Sequence, residues 1–397
     1  MIDEPQVAVD YQPAATGPFL WQAFDAARVS ADLEAISRAG IRLIRVGLAW
    51  DSFMPDARAV DPRRIAELGL LLRAAAERSL RIIPVLFLQA HGDCVLLPRR
   101  AVLRDRARPG LRVLSDGLSE PGGPRDPWTD TLMLELADRW ARRMAEELAG
   151  HPAIAAWDLG DDPASAVRPR RIADLGSWAE IAGAPLRERG DRLVITLGAD
   201  DLRVPRGVRL SALAPHVDRI DIAVRPERLR DLGLTEASAC LLLGELAQRL
   251  VGDRTIPVGL AVALPSPRDG GTGIDERLAA SVADQLLARR SESGLAGLRA
   301  AAWTDLVARL GERAPFDRAP WLLRGGLIRA AGEAKPLLSP WSRAARADPH
   351  AVSPRPWPPR LDVEDFYAGL PGSLLDLAAM WGREQADHPA ILDRGEA

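Results

Sequence analysis

The sequence predicts a single (β/α)8 TIM barrel with a short C-terminal helical extension. Short β-branched or apolar runs alternate with longer amphipathic stretches, as in repeated βα units around a parallel sheet. Eight such runs occur, and right-handed crossovers make successive ones parallel neighbours. The 397-residue length is one that α/β barrels with insertions fill as a single domain.

The first strand candidate is Val7 to Asp10, followed by helical spacing from Ala27 to Ala39. Arg42 to Trp50 (RLIRVGLAW) reads as a strand, Ile65 to Ser79 as a helix and Arg81 to Leu88 as the third strand. The segment Gly92 to Asp130 is charged and rich in Pro and Gly. A loop of that length after a barrel strand reads as a binding or lid segment. Helical spacing resumes from Thr131 to Ala149, and the remaining strand candidates are Ile154 to Gly160, Leu193 to Gly198, Arg219 to Val224, Pro257 to Ala263 and Leu298 to Trp303. Helices at Ile172 to Arg189, Glu236 to Val251 and Asp275 to Glu292 alternate with them. The expected division is a barrel over residues 1–340, a Pro-rich connector over 341–362 containing SPRPWPPR, and a helical tail over 363–397.

A net charge of -3, with 47% hydrophobic and 27% charged residues, gives ample core material and no strong basic surface, so neither nucleic acid nor membrane is an expected partner. The opening MIDEPQ is acidic where a signal peptide is basic, and no apolar run nears the ~20 residues of a membrane helix, so a cytoplasmic location is expected. Cys94 and Cys240 make no framework and no Cys-x-x-Cys pair, and read as packing residues. The DGGTG stretch at Asp269 to Gly273 reads as a flexible turn, lacking the lysine of a phosphate loop. No cofactor and no metal are expected.

The segment HPAIAAWDLGDDP, His151 to Pro163, resembles the fourth-strand signature of clan A glycosidases, whose Asn-Glu-Pro ending carries the acid/base glutamate. The resemblance extends co-linearly to family 5 glycoside hydrolases of the cellulase and mannanase type. It runs through Phe24 to Pro55, AAWTDL at Ala301 to Leu306, GGLIRAAGEAKPLL at Gly325 to Leu338 and DVEDFY at Asp362 to Tyr367. It implies a retaining β-glycosidase ancestry, but here the motif reads Asp161-Asp162-Pro163 and the seventh-strand run IPVGLAVALPSP puts Ala261 where the nucleophilic glutamate belongs. The resemblance implies Asp162 as candidate acid/base and retains Arg45, His91 and Trp303 as substrate-binding candidates, to which Trp50 and Asp161 are added from their places near strand ends.

Retaining hydrolysis needs two carboxyls about 5–5.5 Å apart, and the sequence supplies at most one in register. Asp162 has three readings, one of them a hydrogen bond to a glycan. The others are an acid whose pKa is raised in a partly dry cleft and an aspartate capping the next helix with Pro163 in the first helical position. Asp51, Asp93, Asp200, Asp201 and Asp305 lie near strand ends and are alternative acids. Arg45, lacking the family's nucleophile as partner, is expected to pair with another acid. Eleven tryptophans against two tyrosines leave aromatic faces for sugar stacking; of those near strand ends, Trp50 and Trp157 read as core packing before sugar platform, and Trp303 is open between the two.

The expectation is therefore a glycosidase-like barrel with catalysis impaired or absent, binding a β-linked oligosaccharide or a protein partner of unknown identity. Two alternatives stay open: an active O-glycosyl hydrolase on β-linked glucosides or mannosides with a relocated nucleophile, and an assembly protein that presents its barrel loops.

Overall fold

The computed structural model describes residues 7–387 except 56–58, 149, 206–207, 253–255, 268–272, 348–356 and 359. Most of the SPRPWPPR connector, the DGGTG turn and the last ten residues of the expected tail lie outside that set.

Eight parallel strands close into a barrel: β1 (Val7–Asp10), β2 (Leu43–Gly47), β3 (Arg81–His91), β4 (Trp157–Asp161), β5 (Leu193–Gly198), β6 (Arg219–Val224), β7 (Val258–Val262) and β8 (Leu298–Ala300). Each pairs with the next, β8 pairs with β1, and Asp10 stands beside Arg45 in register. Strands buried on both faces are why the sequence reads as unbroken apolar runs.

The main flanking helices are α1 (Ala26–Arg38), α2 (Pro62–Ala76), α3 (Thr131–Leu148), α4 (Ile172–Arg187), α5 (Glu236–Leu250), α6 (Glu276–Arg289) and α7 (Leu338–Arg346). Asp25, Asp61, Thr235 and Asp275 begin four of them, each accepting backbone N–H groups. Such caps contribute about 1 kcal/mol each. Between β5 and β6 the described residues of the connection hold one α-helical turn, Leu210–Leu213, and two 3-10 turns, Ala199–Leu202 and Ala214–His216. The α7 helix runs across the expected 340/341 boundary.

Two readings need correction. The segment from Gly92 to Asp130 is not a structureless loop. Short strands Cys94–Leu96, Arg112–Ser115 and Leu118–Glu120 continue the sheet outward from the end of β3. They are too short to show a period in sequence. The buried Asp51 carboxylate accepts the Asp116 backbone N–H at 2.6 Å, tying the tip of this excursion to the end of β2. The second correction is to β2, which stops at Gly47. Ala49 has a left-handed backbone (φ 45°), so the chain turns there and Trp50 opens a short helix instead of ending the strand.

The tail forms α8 (Val363–Ala368) and α9 (Gly372–Asp387). Trp381 donates to Glu245 on α5 and stacks edge-on with Trp357, while Arg249 donates to the Pro358 carbonyl. Among the described residues no helix is long and apolar enough to cross a membrane.

Candidate functional site

Alternation along the strands sorts the barrel interior into layers. Ala8, Leu43, Ile83, Ala156 and Val194 belong to one small apolar cluster low in the barrel. Two residues further along their strands stand Asp10, Arg45, Val85, Asp158 and Thr196, so most of the next layer is polar.

That layer is a continuous ion-pair network. Arg45 Nε donates to Asp158 at 2.7 Å, and its other nitrogens lie 3.2 Å from Asp161 and 3.5 Å from Asp10. Arg299 on β8 reaches Asp10 at 2.8 Å, Asp221 at 2.5 Å and the Thr196 hydroxyl at 3.1 Å. Thr196 in turn donates to Asp158 at 2.8 Å. Arg219 pairs with Asp221 at 2.7 Å, across Gly259, where a Cβ would come within 2.4 Å of both side chains. The glycine on β7 is thus required by the network. Arg45 has the acidic partners its burial demanded, three of them.

Above the network a cavity of about 510 Å³ opens at the C-terminal ends of the strands, where barrel active sites lie. That volume falls within the range of small-molecule sites. His91, Asp161, Asp162 and Ala261 line it. Arg45 lies below, lining a small adjoining recess with Asp10, His91 and Asp161.

Asp162 sits at the end of β4 in the left-handed region (φ 50°, ψ 53°), a conformation aspartate tolerates better than most residues. Pro163 does take the first position of the short helix Pro163–Ala166, but the Asp162 side chain makes no cap. Its carboxyl lies instead against Gly198 of β5, where a Cβ would fall 2.8 Å from it. The side chain is therefore turned to the cavity by a missing Cβ on the neighbouring strand. Burial, then the nearby charges of Asp201, Asp161 and Asp200, push its pKa up to about 7, against a pull from the Gly198 amide.

Its neighbour Asp161 behaves oppositely. Although burial opposes ionisation, Arg45 and Arg299 hold its carboxyl below the ordinary range. Adjacent carboxyls are thus driven apart, one poised to titrate near neutrality and one anionic, a common feature of acid/base sites. His91 is neutral, its pKa lowered to about 4 by burial despite Asp161, and its buried Nε2 has no hydrogen-bond partner among the described residues.

The opposite wall is alanine: Ala223, Ala261, Ala263, Ala301 and Ala302 line it. Ala261 pairs in register with Ala223 and Arg299 and is two residues beyond Gly259, so it faces the interior. Neither β7 nor the next three residues, Ala263, Leu264 and Pro265, carry an acid.

Trp50 and Trp303 do not line the cavity. Trp50 is buried edge-on against Phe87, with centroids 5.5 Å apart, and Trp303 is 2% exposed beneath the cavity-lining Ala302 and Thr304. Trp157 is wholly buried. The tryptophan that lines the cavity is Trp321, from the segment after β8.

Of the alternative acids, Asp93 and Asp200 reach the cavity, paired with Arg112 at 2.6 Å and near Arg203 at 3.8 Å. Asp51 holds the excursion, Asp201 is buried beside Asp162, and Asp305 pairs with Lys335 at 2.8 Å. Sequence reasoning missed Asp10, whose signal was an acid closing the apolar run VAVD at a strand end. Burial raises its pKa to about 6 against the two arginines beside it.

No family model and no curated protein matches the sequence. Solved structures do match the fold. A glutamate-to-alanine variant of GH5_18 from Streptomyces cattleya in complex with Manβ1-4GlcNAc superposes with a TM-score of 0.79 at 19% identity, over 97% of this chain and 92% of that one. A like variant of GH5_18 from Bifidobacterium longum subsp. longum ATCC 55813, in complex with the same disaccharide, gives 0.79 at 17% identity, over 97% and 89%. The exo-β-1,4-mannosidase Op5Man5 from Opitutaceae bacterium strain TAV5 gives 0.68 at 19%, over 86% and 59%. At these identities the likeness is one of fold.

Proposed function

We propose that the barrel binds a short β-linked oligosaccharide in this cavity and lacks efficient hydrolysis of it. The observation that carries the reading is the asymmetry of the walls: a protonatable carboxyl, Asp162, on the β4 side and Ala261 on the β7 side. Double displacement requires a nucleophilic carboxylate about 5–5.5 Å from the acid. Ala261 supplies none, and the two other deep acids that line the cavity are ion-paired: Asp161 with Arg45, Asp10 with Arg45 and Arg299. The barrel mouth, a small-molecule-sized cavity and the fold shared with proteins complexed with Manβ1-4GlcNAc support carbohydrate as the ligand class. The split between protonated Asp162 and anionic Asp161 favours, as a second reading, an acid/base role at a rebuilt site.

Calorimetry with Manβ1-4GlcNAc, and turnover of an aryl β-mannoside with an activated leaving group, separate the two. Binding is expected, with kcat below about 10⁻³ s⁻¹ against the ~1–10³ s⁻¹ of ordinary enzymes. A kcat near 1 s⁻¹ that disappears in Asp162→Ala overturns the proposal in favour of the second reading.

A further inference from the structure

The outer cavity wall carries a feature that the sugar-binding reading does not use. After β6 the chain places Arg225 and Arg228 on the rim, with Arg203 from the end of β5 beside them. Arg225 is anchored: it is paired with Glu227 and lies over the Trp321 ring, 3.8 Å from its centroid. Arg203 is anchored too, by Asp231 at 2.5 Å, and donates to the Arg228 carbonyl at 3.0 Å. Arg228 is different. Among the described residues its guanidinium has no hydrogen-bond or ion-pair partner, although Arg225 is near enough for their charges to repel. Across the mouth Arg318 is held only loosely, 3.5 Å from an Asp93 already taken by Arg112, with 63% of its side chain exposed.

Two held arginines thus fix the backbone and flank of a third whose charge is uncompensated, over a cavity that also exposes an aromatic ring. Arg228 is itself exposed, so its guanidinium is open to a ligand at the cavity mouth. Guanidinium groups form planar forks matched to carboxylate and phosphate, and charge-assisted bonds of this kind are about twice as strong as neutral ones. We infer that Arg228, with Arg318 opposite, binds an anionic substituent on the glycan, so that the ligand is an acidic sugar bearing a carboxylate or phosphate. Asp200, also on the rim and near Arg203, confines the anion to the Arg228 side.

The inference rests on the carbohydrate reading, and one experiment keeps the two apart. Affinities are measured for Manβ1-4GlcNAc and for its analogues carrying carboxylate or phosphate at C6 of the mannose, with wild type and Arg228→Gln at low and high salt. The expected result is a preference of about tenfold for an acidic analogue over the neutral sugar, shrinking with salt and falling towards unity in Arg228→Gln. The more tightly bound analogue identifies the anion. Binding of the neutral disaccharide with no gain from either acid, or a gain that survives Arg228→Gln together with Arg318→Gln, overturns the inference and leaves the carbohydrate reading standing. Binding of none of the three overturns both.

Discussion

Replacing Arg45 with leucine is expected to lower the unfolding free energy by about 3–5 kcal/mol, the usual cost of removing one partner from a buried ion pair. The side chain is 5% exposed and faces three carboxylates, of which Asp158 is fully buried. Asp158 would keep only the Thr196 hydroxyl and the Gly160 backbone N–H. Urea unfolding at pH 7, read through the midpoint at unchanged slope, measures the loss. A loss below about 1 kcal/mol would mean that water replaces the guanidinium and the network is not dry. The double variant Arg45→Leu/Asp158→Leu is expected to recover part of the loss, because an apolar pair of similar volume commonly matches a buried ion pair. The same network sets the chemistry above it, since Arg45 keeps Asp161 anionic.

The barrel was legible because its strands are buried on both faces and separated by helical spacing with capping residues at their starts. What lay at the mouth was less so. Asp162 and Ala261 reached the cavity where the family likeness put them, and there the co-linear motifs outweighed any periodicity. Whether a tryptophan near a strand end faces cavity or core was not legible, for a physical reason. Near a strand end one residue of register decides between cavity and core, and Ala302 and Thr304 line the cavity while Trp303 between them does not. At Trp50 the left-handed Ala49 ended the strand early, and nothing in an apolar run announces that turn. Arg228 and Trp321 sit in connections whose sequence is indistinguishable from solvated loop until the fold brings them to one rim. Asp10 was readable in principle, as an acid closing an apolar strand, but its role required Arg299 from the far end of the chain.

Asp162→Asn is expected to stabilise the protein increasingly as pH rises from about 4 to about 7, and this pH dependence is a direct test of the site. In the unfolded chain the carboxyl titrates near its ordinary value of 3.8, whereas in the folded chain it titrates near 7. Below pH 3.8 both states are protonated and the group contributes no slope. Between the two values the unfolded chain has released its proton and the folded chain has not, so the folded state binds more protons and stability falls as pH rises. Above pH 7 both are ionised and the loss is complete. With ~1.4 kcal/mol per unit, roughly 4 kcal/mol of stability disappears across the window. Asparagine does not titrate and would escape that loss, so the wild-type and variant stability curves should diverge from pH 4 to 7 and run parallel outside it. Parallel curves throughout would place the Asp162 carboxyl in water and remove it as an acid. Divergence would mean that the chain retains, against its own stability, a carboxyl held ready to donate a proton, although no acid faces it from β7. Protonated, that group is a hydrogen-bond donor, and under the proposed function its acceptor is a glycosidic or hydroxyl oxygen of the bound sugar.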